Sequence, residues 1–227
     1  MLAVIKKELK NYFFSPIGYV VIGIFLLVYS VFFYITAVDT RTIDLTNLFY
    51  CVALYGLIFM IPLLTMWSFA GERKTGTEQL ILTSPISLWG LILGKLISAF
   101  IIVLIPTIGS LMYFGILSYY NMPDVPTYLT SILGFLLLSI SYISWGLLTS
   151  SITESPIISL ILTFAGIFLT TWLPQYVESL ADFSLLNLFI NFLYGTIDIA
   201  AAITFISLTI LCILITIIVM QRRKSAK

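Results

Sequence analysis

Six long apolar runs, separated by short polar intervals, set the pattern of this chain. They fall at about 17–38, 47–70, 88–118, 128–150, 156–173 and 199–220. Each reaches or approaches the ~20 residues that carry a helix across ~30 Å of hydrocarbon. None has the ~10-residue alternation of an outer-membrane barrel strand. The pattern therefore predicts an all-α membrane protein, with six transmembrane helices in a single domain over 1–227.

The polar intervals refine that picture. Between Met1 and Phe14, Leu2, Ile5, Leu9 and Tyr12/Phe13 recur at helical spacing, with Lys6, Lys7, Glu8 and Lys10 on the other side. This predicts an amphipathic helix over 1–15 in the membrane interface, its lysines beside anionic lipid headgroups. A basic flank that merely orients span 1 is the alternative. Ser15-Pro16 fits an N-cap with proline at the first helical position. Pro62 predicts a kink in span 2, and Pro106 a bend in the long span 3, where Gly90 and Gly94 allow close packing. Lys95 is expected to snorkel to the interface.

The segment from Gly71 to Pro85 alone combines charge clusters with helix punctuation. Thr75-Gly76-Thr77-Glu78 has capping-box spacing, so a short helix from Gly76 to about Thr83 is expected. Its apolar tip, Leu80, Ile81 and Leu82, has little core of its own, and should dock into a partner's groove. A second short loop surrounds Glu154. Residues 174–198 are too polar for a span and too apolar for an ordinary loop. There Asn187, Asn191, Tyr194 and Asp198 fall at i, i+4, i+7 and i+11, one face of a helix. This predicts a half-inserted helical element before the last span, the alternative being a helix lying flat on the outer leaflet.

Charge placement gives the orientation. In a six-span layout Lys6, Lys7, Lys10, Arg73, Lys74, Lys95, Arg222, Arg223, Lys224 and Lys227 share one side, and Arg41 stands on the other. The positive-inside rule then makes both termini and the 71–85 segment cytoplasmic in a multi-pass protein. The first run is too long for the core of a cleaved leader and lacks a small-residue cleavage pattern, so it is expected to be retained.

Composition mainly excludes. The 227 residues are 60% hydrophobic and 9% charged, against about 25% charged in soluble domains, and mean hydropathy is +1.12. A net charge of +1 without a basic patch leaves no footprint for nucleic acid. Cys51 and Cys212 lie in apolar runs and read as small hydrophobes. The chain has no histidine, the commonest metal ligand and general base. Gly90-Leu91-Ile92-Leu93-Gly94-Lys95-Leu96 misses the phosphate-loop spacing and the hydroxyl after the lysine. An intramembrane protease would need a nucleophile and base or paired aspartates within the spans, and none is found; Ser139, Ser141 and Ser144 instead read as hydrogen-bonding within or between helices. The charges lie at span ends or in loops, so the ionisable groups that an ion-coupled carrier keeps near the bilayer centre are missing.

Ile61-Pro62-Leu63-Leu64-Thr65-Met66, Phe69-Ala70-Gly71-Glu72-Arg73, Gly76-Thr77-Glu78, Leu82-Thr83-Ser84-Pro85 and Gly94-Lys95 together resemble the ABC type-2 exporter permeases. The nearest likeness is to the six-span group of gliding-motility and nitrous-oxide-reductase-maturation permeases. Both ends agree with it: Lys6-Lys7-Glu8-Leu9 with Tyr12-Phe13-Phe14-Ser15-Pro16, and Asn191-Phe192-Leu193-Tyr194-Gly195-Thr196-Ile197-Asp198 before a last span ending in Arg222-Arg223. Two positions depart: Gly71 stands where the group usually has a second acidic residue, and Tyr194 where a basic one is common.

The resemblance implies a non-catalytic permease subunit in a bacterial inner membrane, paired with a second copy as a homodimer or with a related permease. ATP and Mg would be bound by two cytoplasmic ABC ATPase subunits, and this chain would hold no cofactor. The 71–85 segment would be the coupling helix, with Glu72, Arg73, Lys74, Thr75, Gly76, Thr77 and Glu78 as its polar part. Leu80 and Ile81 would be its apolar anchors, and Glu154 a second, lesser contact. Asn187, Asn191, Tyr194 and Asp198 would belong to an element closing the exit side. Two other classes stay open: an ATP-driven subunit acting mechanically on an envelope protein, and a stand-alone channel or secondary carrier.

Overall fold

A computed structural model describes residues 1–14, 16–40, 45–79, 87–120, 122–176 and 184–225. Among these residues all regular structure is helical, and six helices are long and apolar enough to cross a membrane. Helix α1, Leu2–Phe14, precedes span 1, which consists of α2, Pro16–Phe33, and a π-helical continuation, Tyr34–Asp39. The expected N-cap Ser15 and the far-side Arg41 lie outside the described residues.

Span 2 is the least regular. It runs through α3, Thr46–Cys51, a π-helical stretch, Val52–Leu57, then α4, Ile58–Thr65, and α5, Ala70–Lys74. Pro62 sits inside α4, where it cannot donate a backbone hydrogen bond. The ladder is widened just before it and gives way to turns over 66–69 just after it. Sequence reading places the disturbance at the proline, whereas the break itself comes one turn later.

Span 3 is likewise divided, into α6, Leu88–Gly109, and α7, Leu111–Tyr120. The interruption falls at Ser110, four residues beyond Pro106, where the Ser110 amide donates to both Pro106 O and Thr107 O. Span 4 is one helix, α8, Val125–Ile152, and span 5 is α9, Pro156–Tyr176, which continues through Pro174. The polar element expected to begin at Pro174 therefore starts later, and its first part, 177–183, lies outside the described residues. It contains α10, Leu185–Leu193, and is followed by span 6, α11, Ile199–Ser225.

Spans 2 and 4 form the interior, being 72% and 67% buried over their most apolar windows, whereas spans 1 and 5 are each 28% buried. The rims remain apolar, as helices facing lipid must. Tyr29 of span 1, Phe49 of span 2 and Phe135 of span 4 pack edge to face around one point, with centroids 5.9–6.2 Å apart. Polar side chains in span 4 bond to helix backbone: Ser139 donates to Phe135 O and Ser144 to Ser141 O, while Ser141 also reaches Phe205 O of span 6.

Candidate functional site

A cluster of charged residues gathers at the end of the bundle that carries both termini, and the break in span 2 organises it. Where the turns over 66–69 lead into α5, the first amides of the new helix need acceptors. Phe69, the N-cap, supplies no side-chain cap. Ser150 of span 4 does so instead: its Oγ accepts from Phe69 N at 3.0 Å and Ala70 N at 3.1 Å. A fully buried hydroxyl in one span thus caps a helix in another. Sequence reading missed Ser150, because a cap supplied across 80 residues leaves no local spacing to find.

Arg73 follows within α5, and its side chain is only 7% exposed. One guanidinium nitrogen donates to Thr153 O and the other to Ser151 O, while Nε donates to Glu78 Oε1 at 3.2 Å. Arg223 of span 6 donates to Ile152 O at 2.9 Å. Two arginines from distant parts of the chain therefore take three successive carbonyls at the C-terminal end of span 4, the negative end of its dipole.

The capping box is not formed as expected. Thr75 is the C-cap of α5, and its hydroxyl donates to Gly71 O at 3.1 Å and to Glu72 O at 3.2 Å. Gly76 then takes φ +76°, the left-handed conformation that ends helices and favours glycine. Thr77 also reaches Glu72 O. Helix resumes at Glu78, whose carboxylate turns back to Arg73 rather than to Thr75. The Thr-x-x-Glu spacing suits a helix start, but Lys74-Thr75-Gly76 equally suits a helix end, and the ending prevails. Leu80 and Ile81 lie outside the described residues.

On the other flank Lys95 of span 3 is buried, not snorkelling: its side chain is 1% exposed. Its Nζ stands 3.0 Å from Glu8 and 2.9 Å from Glu72, donates to Ser68 O at 2.7 Å, and lies 5.1 Å above the Phe69 ring. Lys7 closes the cluster at its rim, 3.2 Å from Glu72. Two cations and two carboxylates balance. Glu8 therefore belongs to the packed face of α1, together with Val4, and not to the polar face on which the helical spacing puts it. Gly94 makes that packing possible, since a Cβ there would stand 2.8 Å from Val4 Cγ1. Tyr12 adds a hydrogen bond to Leu64 O at 3.1 Å; burial raises its phenol well above the ordinary range, so it stays a donor. At Gly71 a Cβ would lie 2.7 Å from Trp67 Cε3, so an acidic residue there needs the indole to move.

Glu72, Arg73 and Glu78 are thus turned inward. Beside them is an open cleft of about 340 Å³, lined by the largely buried Arg73 and Glu78 together with Lys74, Gly76, Gln79 and Glu154. Lys74 and Glu154 are exposed on it. The two separate segments singled out from sequence, 71–79 and the Glu154 loop, share this one surface.

At the opposite end, α10 starts with Ser184 accepting from Asn187 N and buries Leu185, Leu186, Phe189 and Phe192. A Cβ on Gly134 would lie 2.6 Å from Phe192 Cβ. Gly134 stands nine residues into span 4, about 13 Å along its axis at ~1.5 Å per residue, so α10 packs well down the side of the bundle. Asn187, Asn191, Tyr194 and Asp198 do not share one helical face, because α10 ends at Leu193 and the chain turns at Tyr194-Gly195. Folding still joins two of them: Asn191 Nδ2 donates to Asp198 Oδ2 at 2.7 Å. Asn187 and Tyr194 are exposed. Asp198 Oδ1 caps span 6 by accepting from Ala200 N and Ala201 N. These backbone donors, led by Ala201 and joined by Asn191, hold its carboxyl below the ordinary value.

Comparison with known families matches the chain to the family described as ABC-2 family transporter protein, over residues 34–220. That range runs from the last turns of span 1 to nearly the end of span 6. No curated protein matches the chain.

Proposed function

The chain belongs to the ABC-2 family of transporter proteins, and from that membership we propose that it is the permease subunit of an exporter driven by a separate ATP-binding-cassette ATPase. That partner binds ATP and Mg and hydrolyses the ATP, and two permease copies form the pathway between them. The basic residues at the termini-bearing end favour a cytoplasmic location for that end in a bacterial inner membrane.

The observation that carries this reading is the cleft. Its lining joins the 71–79 segment to the Glu154 loop, and the same segment is tied by hydrogen bonds and ion pairs to α1, span 3 and span 4. A partner seated there has hold of most of the bundle. Lys74 and Glu154 offer charges of both signs at its mouth, and Leu80 and Ile81 supply the apolar contact. At the far end α10, wedged against Gly134, is suited to close the exit.

The test is to purify the tagged chain from its native membranes and to assay the ABC ATPase bound to it. Lys74→Glu with Glu154→Lys, or Leu80→Asp, should leave insertion intact and remove the ATPase. Full retention of ATPase and of its hydrolysis in all these variants would overturn the reading.

A further inference from the structure

Arg73 lies in the segment assigned above to partner contact, yet its side chain points into the protein. From this geometry we infer that Arg73 is a positioning residue, which carries displacement of the 70–79 segment to the end of span 4, while Arg223 carries it on to span 6. The inference rests on the proposal that an ATPase acts on that segment.

Three observations support it. The guanidinium holds Ser151 O and Thr153 O together, and Glu78, the first residue of the helix beyond Gly76, holds its Nε. A planar fork with two carbonyls and a carboxylate resists rotation as well as translation, which a single ammonium contact does not. The turn from Thr75 to Thr77, with Gly76 at positive φ, separates α5 from the helix at Glu78. The Arg73–Glu78 pair bridges that turn, so that motion of the second helix is carried across it to the guanidinium. Lastly, Ile152 O, between the two carbonyls taken by Arg73, accepts from Arg223. Spans 2, 4 and 6 therefore meet within three residues of backbone.

A surface role and a positioning role predict different losses. The complex with its co-purified ATPase is spin-labelled in pairs, after replacement of Cys51 and Cys212 by serine. Val31, exposed on span 1, is paired in turn with Thr77, Ile152 and Ile218, all exposed and none lining the cleft. Distances are read with and without ATP plus vanadate. In the otherwise native protein all three pairs should shift. In Arg73→Lys the ATPase should remain bound and the Thr77 pair should still shift, while the Ile152 and Ile218 pairs no longer do. In Arg223→Gln only the Ile218 pair should lose its shift.

Loss of the ATPase in Arg73→Lys would make Arg73 a partner contact and overturn the inference. Undiminished shifts at Ile152 and Ile218 would overturn it as well. If Arg73→Lys does not fold, Arg223→Gln decides: an Ile218 shift that persists there sinks the relay. Absence of any shift in the native complex would instead sink the ATPase reading on which the inference stands.

Discussion

Lys95 Nζ and Glu72 Oε1 lie 2.9 Å apart in the interior of the termini-bearing end, joining span 3 to the segment that leaves span 2. Glu8 Oε1 lies 3.0 Å from the same ammonium, so α1 is held to both. One buried cation thus fixes three elements that are distant in sequence. Because charges are expensive to bury, the arrangement is stable only while complete.

Lys95→Met should accordingly be severe. It leaves Glu8 and Glu72 facing one another with only Lys7 at the rim, and removing one partner of a buried pair costs about 3–5 kcal/mol. Adding Glu8→Gln and Glu72→Gln to Lys95→Met should restore most of that loss, since no unpaired buried charge remains. Thermal unfolding in detergent measures both. A Lys95→Met protein as stable as the parent would show that the cluster carries no such energy.

Tyr29 offers the opposite case. Its ring is fully buried among Phe25, Phe49 and Phe135, and its hydroxyl, near Thr107, makes no hydrogen bond of normal geometry among the described residues. An unsatisfied buried hydroxyl costs about 1–3 kcal/mol, so Tyr29→Phe should leave stability unchanged or raise it. A clear drop in unfolding temperature would mean that the phenol is satisfied after all.

These two residues show what sequence makes legible. The six spans are written in runs of apolar residues, which need no knowledge of their neighbours. The partners of Lys95 are not, because Glu8 and Glu72 come from 87 and 23 positions away, and a lone lysine near a span end looks the same whether it snorkels or is paired. Arg73 is harder still, since Ser151 O and Thr153 O are backbone acceptors that any residue would present. The Thr75–Glu78 spacing misleads for another reason: it fits a helix start and a helix end alike, and Gly76 after Thr75 is the feature that decides. Asn191 and Asp198 were grouped by helical periodicity, yet they meet through a turn that interrupts it.

Asp198 yields a pH dependence. Its carboxylate is the bonded form, and its pKa in the folded protein is depressed. Its contribution is therefore fully present above the ordinary carboxylate value of about 4, and is lost as pH falls through the lowered folded value. Hydrogen-exchange protection at Ala200 and Ala201 should hold as pH drops through the ordinary range and decline only below it. Asp198→Ala should show weak protection at every pH. Protection that already fails near pH 5 would contradict the assignment of Asp198 as the cap of span 6.

Ser150→Ala removes the acceptor shared by Phe69 N and Ala70 N. Loss of a capping hydroxyl typically costs about 0.5–2 kcal/mol, and because the site is buried, water cannot replace it. The five residues of α5 have little helix of their own to hold them. The substitution should therefore open α5 locally, with faster exchange of the Phe69–Lys74 amides and unchanged exchange in the middle of span 4. Glu72 and Arg73 lose their fixed positions in the same event, so the Lys95 cluster and the carbonyls of span 4 should loosen together. Coupling to the ATPase proposed above should then fail even though every side chain on the cleft is unchanged. Unaltered exchange at Phe69 and Ala70 would mean that the break in span 2 is held by something other than Ser150.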